Sequence, residues 1–544
     1  MFSHALVRET LLDELSDVAR RRLHQRVANA GPVDVFERAH HLVEGRPLTD
    51  AAATVQACRE AAGRAEQDRT HEAAAGWWRH ALEVATASGT GPPRQQTLLG
   101  LATALVRSGQ VLAGQDRLRE CMEVSLAAGD TPTAVRAAGV LGASHGSWYW
   151  VEYGSHPSAI IALLRETLAR LGPGDTAERV RVLTTLAAGE YYGDPSAAAA
   201  LADDAVRVAR RLGDRQVLAE ALAGWLLCTW SVGEEDRIVE AATELLGVTD
   251  AVLGLAPLEP PARLRRAQAS LVLGDTAASD ADVRAAWDVA QDLRLPVVQA
   301  QVIQLQGTRA ALAGEFDLAE ELYEQVRRMD ERVEIHLRDL THAASLFLLR
   351  AEQGRAGSSS PALRDPAWAA MPGTQLLLVG ATLQAGDPVG ARELSRRTGA
   401  LGPAARWWNW EAWSCYQAEL AVDLGELEVA ERLVADLTPV AHHVALYGGI
   451  GALGPVTRYL GRLHAALGRW EEAEAHLRAC LELSASRGFR PSWAAAAAAL
   501  ADVLDATGRG GAASGLREEA ESVAAEIGTS RRLRMRLPEV DDLT

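Results

Sequence analysis

Residues 467–473, Leu467-Gly468-Arg469-Trp470-Glu471-Glu472-Ala473, join two segments that have helical periodicity. Apolar residues recur at helical spacing before the glycine, through Tyr459-Leu460-Gly461 and residues 463–467. The residues from Gly468 to Ala473 then open a second helix. Glycine at the junction supplies a left-handed C-cap, a backbone conformation that other residues adopt only at a cost. The stretch therefore predicts a pair of helices joined by a tight turn.

The same turn recurs about every 40 residues, and a period of about 20–50 residues is typical of a solenoid of stacked helix pairs. It occurs at Ser108-Gly109, Gly193-Asp194, Gly233-Glu234, Gly274-Asp275, Gly314-Glu315, Gly386-Asp387, Gly425-Glu426, Gly468-Arg469 and Gly508-Arg509. The predicted fold is all-α, a right-handed superhelix of antiparallel helix pairs that forms one curved wall with no sheet.

The unit around Gly314 shows the pattern in detail. Residues 298–313 form one amphipathic segment, and residues 316–329 form another with Ala319 on its apolar face. Small residues at this position, like Ala473 in the later unit, let two helices approach closely. These units resemble the tetratricopeptide repeat. Because the ordinary repeat has about 34 residues, a period of about 40 indicates a variant with longer helices.

The first 50 residues carry a more specific resemblance. They include Phe2-Ser3-His4-Ala5-Leu6-Val7-Arg8-Glu9, Leu15-Ser16, Arg20-Arg21-Arg22-Leu23-His24 and Ala39-His40-His41-Leu42. This pattern resembles the segment that follows the nucleotide-binding module in actinobacterial LuxR-type and other STAND ATPase regulators. In that family the segment closes a winged-helix element and leads into a tetratricopeptide array.

The resemblance implies a role in regulation, but two parts of the family pattern are missing from the sequence. No nucleotide-binding module precedes Phe2, and no helix-turn-helix follows Leu537. ATP hydrolysis and DNA binding are therefore not expected of this chain. We expect either the sensor arm of such a regulator or a fragment of a larger LuxR-type ATP-binding transcriptional regulator.

The predicted domains follow from these patterns. Residues 1–50 form a helical remnant of the winged-helix element and its linker, and residues 51–530 form the solenoid. A Gly-, Ser- and Pro-containing stretch at 354–366 predicts a loop that kinks the array. Residues 531–544 are a basic and then acidic tail.

Charge and composition exclude several functions. The formal net charge is -17 and the pI is about 5.4, which disfavours direct nucleic-acid binding. All positive side chains are arginines, so neither a phosphate-binding P-loop lysine nor a Schiff-base lysine can form. No cofactor is predicted.

Cysteine spacing and hydropathy predict a cytoplasmic protein with no membrane partner. Five widely separated cysteines suggest buried thiols in a reducing compartment, and they are Cys58, Cys121, Cys228, Cys415 and Cys480. The longest apolar run, residues 493–501, is well short of the roughly 20 residues that cross a bilayer.

Two short motifs are typical of enzymes. Gly142-Ala143-Ser144-His145-Gly146 matches the G-x-S-x-G nucleophile elbow and gives an alternative function, a serine hydrolase using Ser144. However, the preceding residues are expected to be helical rather than a strand. Gly449-Ile450-Gly451-Ala452-Leu453-Gly454 matches a dinucleotide-binding fingerprint, but helices on both sides predict a flexible inter-repeat loop.

Histidines occur in three groups, but no metal site is predicted from them. The groups are His40-His41, His442-His443, and His336 with His342. Adjacent residues on a helix point about 100° apart, so neither neighbour pair is expected to share an ion.

Aromatic residues give the candidate ligand or partner surface. Helical spacing indicates that one stripe cannot bury all four tryptophans of the densest group, so at least one ring should reach a groove or the surface. The predicted surface comprises Trp407, Trp408, Asn409, Trp410, Glu411 and Trp413, together with Trp148, Tyr149, Trp150, Tyr153, Tyr191 and Tyr192. The alternative is that these rings fill gaps between helices.

The sequence thus predicts a non-catalytic tetratricopeptide-repeat regulator. It would bind a partner protein or a small inducer on the inner face of its superhelix. A purely structural scaffold is the remaining alternative.

Overall fold

The chain forms an all-α fold, as predicted. The computed structural model describes residues 15–30, 34–143, 151, 154–229, 233–252, 254–329, 338–358, 363, 365 and 372–529. Within them lie 25 α-helices, which pack mainly as neighbouring pairs. The chain divides into two compact units, Met1–Cys228 and Thr229–Thr544.

In the described parts of unit 1, short turns join most of the helices, and the helices on either side of such a turn run antiparallel. Its helices are α1 Asp17–Ala28, α2 Val35–Glu44, α3 Ala51–Gln67, α4 His71–Ser88, α5 Arg94–Arg107, α6 Val111–Ala127, α7 Thr131–Ala143, α8 Ser158–Leu171, α9 Ala177–Glu190, α10 Pro195–Leu212 and α11 Arg215–Cys228.

Unit 2 repeats this arrangement and adds a short β-hairpin. Its helices are α12 Glu235–Thr249, α13 Glu259–Val272, α14 Thr276–Asp292, α15 Pro296–Ala313, α16 Phe316–Arg327, α17 Arg338–Glu352, α18 Pro372–Gln384, α19 Pro388–Thr398, α20 Trp410–Leu424, α21 Leu427–Leu437, α22 Val456–Ala466, α23 Trp470–Arg487, α24 Arg490–Ala506 and α25 Gly510–Glu526. The strands are β1 Val444–Leu446 and β2 Ala452–Pro455.

The recurring glycine turns have the predicted geometry. Eight of the nine glycines named from the sequence have positive φ, between 71° at Gly468 and 88° at Gly233. Gly193 is the exception and does not have a positive φ. Glycine is needed there for a different reason, because a Cβ at this position would overlap the His156 ring. The period therefore indicates the helix pairs correctly, while one turn uses glycine to admit a neighbouring side chain.

The centre of unit 2 is formed by two helices that are buried almost all round. Every residue of α20 except Asp423 is buried, and every residue of α22 except Thr457. A helix at the surface of a solenoid normally buries one stripe only. These two helices therefore form the core of the unit rather than an accessible wall.

The β-hairpin corrects the prediction for residues 449–454. Instead of a flexible loop in a fold with no sheet, β1 and β2 pair antiparallel, with a register shift between Ala445 and Leu446. Thr308 Oγ1 on α15 donates a hydrogen bond to the backbone oxygen of Gly449 at 2.9 Å. Val444 and Leu446 join the apolar core of α13, α14 and α15. The hairpin is thus a buried structural element.

Contacts between early and late helices enclose the interior of unit 2. Helix α15 packs on α24, and Ile527 lies in one apolar cluster with Phe316 and Tyr323. Thr529 Oγ1 donates to the backbone oxygen of Glu352 at 2.7 Å. Repeats of an open solenoid contact only their neighbours, so these links close the unit around the hairpin.

The five cysteines are buried, as predicted, and none of them forms a disulfide. Burial raises the pKa of Cys58 to about 12 and that of Cys121 to about 11, which keeps both thiols protonated and unreactive. Among the described helices, none is both long and apolar enough to cross a membrane.

Candidate functional site

Helices α8, α9 and α10 of unit 1 form a groove that is open to solvent. Its volume is about 920 Å³, which is within the range of sites that hold a ligand. Leu186 of α9 is buried at its base, and Leu168 of α8 and Leu201 of α10 are half-buried along it. Ala197 and Ala200 leave room between the leucines.

Arginines border this apolar floor. Arg165, Arg179 and Arg207 line the groove together with one carboxylate, Asp204. Arg207 is paired with Asp204 at 2.7 Å, and the Arg179–Asp204 separation is 3.5 Å. The rim is therefore positively charged in a chain whose net charge is -17.

A buried carboxylate holds one side of the rim in place. Arg165 donates two hydrogen bonds to Glu190 Oε1, at 2.5 and 3.1 Å, and His156 Nε2 lies 3.1 Å from Oε2. Glu190 ends α9 and is 2% exposed, whereas the Arg165 side chain is 62% exposed. A buried anion thus orients an exposed guanidinium at the mouth of the groove.

A second polar cluster lies inside unit 2. Strand β1 is preceded by His443, whose Nδ1 is 2.6 Å from Glu411 Oε1 on α20. Its Nε2 lies 3.8 Å from Glu235 Oε2 on α12. All three side chains are buried, and one ligand-type atom of each lies within 4.8 Å of the others. This arrangement can hold either a proton or a cation.

The protonation of His443 decides between the two. Burial lowers the pKa of His443, but the hydrogen bond to Glu411 and the charges of Glu411 and Glu235 outweigh burial and raise it. Burial is also the main cause of the raised pKa of Glu235. A protonated imidazole has no lone pair for a metal, so the cluster is a buried ion-pair network.

This network predicts a pH-dependent stability. Because the folded pKa of His443 is above its unfolded value of 6.5, the stabilisation is fully present below that pH and is lost as pH rises through the folded value. We expect stability to fall by up to about 1.4 kcal/mol per pH unit across that window. Urea unfolding at several pH values should show this slope in the wild type and in His442→Gln, an exposed neighbour, but not in His443→Gln. Equal slopes in all three proteins would contradict the assignment.

The tryptophans predicted as a ligand surface separate into two kinds. Helix α20 begins at Trp410, so Trp407 and Trp408 precede it and are half-buried, whereas Trp410 and Trp413 are buried. The Tyr447 ring of the hairpin lies 5.1 Å from the Trp408 ring and 4.6 Å from the Trp413 ring. Glu411 belongs to the ion-pair network, and Asn409 is buried.

Of the other predicted aromatic residues, Tyr191 and Tyr192 lie in the part of the chain that the structure describes. Tyr191 is buried, Tyr192 is half-buried, and their rings meet edge-on at 5.0 Å. Trp148, Tyr149, Trp150 and Tyr153 lie outside the described residues. The same is true of Ser144, of residues 531–544 and of most of the loop at 359–371.

Neither enzyme motif has the backbone that its chemistry requires. Residues up to Ala143 belong to α7, so a helix stands where the nucleophile elbow needs a strand, and a Cβ at Gly142 would overlap Thr185 Oγ1. The close helix contact expected for this motif is therefore present. Residues 449–454 join antiparallel strands, whereas a dinucleotide fingerprint joins a parallel strand to a helix.

Two cavities near the hairpin are small. One, of about 30 Å³, is bordered by Trp408, Glu411 and Glu235. The other, of about 20 Å³, is bordered by Glu352 and Ser492. Volumes of this size admit a few water molecules at most, so an organic inducer does not fit either cavity as it stands.

Sequence reasoning missed the groove arginines and Glu235, although it named Glu411 as part of the aromatic surface and His443 as one of an adjacent pair. The groove arginines belong to three different helices, and no local pattern connects them. The hairpin did leave a signal, because Gly448-Gly449 follows the apolar run Val444-Ala445-Leu446, and a Gly-Gly pair is typical of hairpin turns.

Comparisons with known proteins extend to the fold only. No protein-family profile and no curated protein matches the sequence. The crystal structure of yeast Tom70 aligns with 83% of this chain and 96% of its own, at 11% identity and a TM-score of 0.32. The crystal structure of the APC/C hetero-tetramer Cut9–Hcn1 aligns with 88% of this chain and 96% of that chain, at 13% identity and a TM-score of 0.31. Scores of this size carry no argument about function.

Proposed function

We propose that this chain is a non-catalytic, tetratricopeptide-like protein that binds a partner protein in the groove formed by α8, α9 and α10. The observation that carries the proposal is the groove itself, with an apolar floor of leucine and alanine side chains and a rim of arginines. It is open to solvent, so a segment of another chain can enter it from the side. A small inducer is less suited to such an open site.

The lining indicates the chemistry of the partner segment. Leu168, Leu186 and Leu201 would contact aliphatic side chains of the partner. Removing those apolar side chains from water lowers the free energy of the complex. Arg165 and Arg207 would pair with carboxylates at either side of these contacts, and paired charges across an interface give specificity and fast association. The expected partner segment therefore combines Leu, Ile or Val with Asp or Glu.

Selection of peptides on the full-length protein tests this proposal. We expect a random peptide library to yield sequences with acidic residues beside aliphatic ones. Arg207→Glu and Ala200→Phe, which reverse a rim charge and fill the groove, should each weaken binding at least about tenfold, or roughly 1.4 kcal/mol. Both positions are exposed, so neither change should disturb folding.

Arg119→Glu is the control, because Arg119 is a half-buried arginine of unit 1 that is paired with Glu123 in the same helix and lies outside the groove. Its affinity should equal that of the wild type. Selected peptides that bind both groove variants as tightly as the wild type would place the site elsewhere and reject the proposal.

The biological setting that we propose is regulation of transcription or signalling in the cytoplasm. The support is the resemblance of residues 2–42 to the segment that precedes the repeats in LuxR-type and STAND regulators, together with five buried cysteines that form no disulfide. The groove would serve equally in a separate protein or as part of a larger regulator. Partner binding to a regulator of transcription would change the expression of its target genes, and a groove variant would abolish that change.

A further inference from the structure

Three histidines of unit 1 converge, although the sequence predicted that adjacent histidines would diverge. His40 and His41 lie on α2, and His24 reaches them from α1. The ring centroid of His24 lies 5.7 Å from that of His40 and 5.0 Å from that of His41. The centroids of His40 and His41 are 5.3 Å apart. The prediction considered one helix alone and therefore missed the third ring.

The ligand atoms are close enough to share one ion. One ring nitrogen from each histidine lies within 4.8 Å of the others, and the Nδ1 atoms of His24 and His41 are 2.8 Å apart. Zinc binds histidine nitrogen at about 2.0–2.1 Å in tetrahedral sites, which places two ligand nitrogens about 3.3 Å from each other. The His24 and His41 nitrogens therefore need to separate by about half an ångström, and the His40 nitrogen, which lies within 4.8 Å of them, needs to approach. Side-chain rotations supply both movements.

The cluster is accessible from solvent. His40 is exposed, while His24 and His41 are half-buried. Imidazole nitrogen suits divalent transition ions such as zinc.

The position of the cluster suggests what an ion would do. Helix α1 has no buried side chain among its described residues, and its main helix contact is with α2. A helix held by so little apolar burial is marginally stable on its own. A bond from His24 to an ion held by α2 would fasten α1 to the rest of the unit.

We infer that His24, His40 and His41 form a three-histidine site for a divalent transition metal, Zn²⁺ in particular, that fastens α1 to α2. A fourth coordination position remains for water. The site lies apart from the groove and does not depend on the proposed function.

Metal titration of the full-length, metal-stripped protein tests this inference. Co²⁺ should give the strong visible absorption of a tetrahedral site, and Zn²⁺ should abolish it by displacement. His24→Ala and His40→Ala should each raise the Zn²⁺ Kd by more than about tenfold, since even loss of an outer partner of a metal ligand costs about 10–100-fold. His80→Ala, which removes a half-buried histidine of unit 1 outside the cluster, should behave as wild type.

Amide hydrogen exchange supplies a readout independent of the other histidines in the chain. Zn²⁺ should slow exchange in Asp17–Ala28 of the wild type and of His80→Ala but not of His24→Ala or His40→Ala. His40 is exposed, so His40→Ala should leave the metal-free fold and its circular dichroism unchanged. The site would be overturned if the wild type gave no tetrahedral Co²⁺ spectrum. It would also be overturned if His24→Ala and His40→Ala had the same Co²⁺ spectrum and Zn²⁺ affinity as the wild type. Zinc binding that leaves exchange in α1 unchanged would overturn the fastening role.

Discussion

Replacing Arg458 by methionine is expected to destabilise unit 2 by about 3–5 kcal/mol, because it removes one partner of a buried ion network. The Arg458 guanidinium is fully buried on α22 and donates to both carboxylate oxygens of Glu352 on α17, each at 3.2 Å. Glu419 on α20 lies 3.5 Å away. Burial disfavours the charge, but Glu352 raises the pKa of Arg458, so it remains ionised.

Urea unfolding followed by circular dichroism measures this loss, and two comparisons isolate its cause. Arg478→Met removes an exposed arginine of α23 that is paired with Glu474 in its own helix, and it should cost less than about 1 kcal/mol. Adding Glu352→Gln and Glu419→Gln to Arg458→Met removes the unpaired charges and should recover most of the loss. A loss no larger than that of Arg478→Met would show that the network does not hold the core together.

Alanine at Gly454 is expected to cost about 2–5 kcal/mol. Gly454 lies on β2 with a φ of +85°, a conformation in which a Cβ costs about 1–2 kcal/mol. The added Cβ would also overlap Ser492 Oγ on α24, and overpacking of this kind costs about 1–3 kcal/mol more. The change therefore measures how closely the hairpin is packed against the last helices of the unit.

Gly386 provides the matched control, because its φ is +87° and nothing lies within 4 Å of the position a Cβ would take. Gly386→Ala should show only the backbone cost of about 1–2 kcal/mol. In the double variant Gly454→Ala with Ser492→Ala, the loss should fall towards that value, since the overlapping oxygen is gone. Equal losses for Gly454→Ala and Gly386→Ala with Ser492 in place would contradict the packed hairpin.

Local signals were enough to predict the helix pairs. Around Gly314, the sequence predicted helices at 298–313 and 316–329, and the structure has Pro296–Ala313 and Phe316–Arg327. Apolar periodicity and a glycine that permits a left-handed turn are both properties of a few neighbouring residues. Such signals predict a helix pair regardless of where that pair lies in the folded protein.

The sites depend on contacts between distant residues, and the sequence could not supply these. The hairpin is held by Thr308 and faces Ser492, and His443 meets Glu235 and Glu411 only because the unit closes. For the tryptophans, the prediction that one stripe could not bury all four agrees with the half-buried Trp407 and Trp408. The premise that all four tryptophans lie on one helix was wrong, however, because Trp407 and Trp408 precede the helix that begins at Trp410.

Hydrogen exchange of the full-length protein with and without a selected peptide is the most direct test of partner binding in the groove of unit 1. We predict that amides of α8, α9 and α10 gain protection on binding. Amides of the hairpin and of Trp407–Trp413 should have the same exchange rate with and without the peptide, because that region is already packed. Protection gained at the hairpin and the tryptophans, with none gained in α8–α10, would contradict the groove and place the partner on the aromatic surface instead.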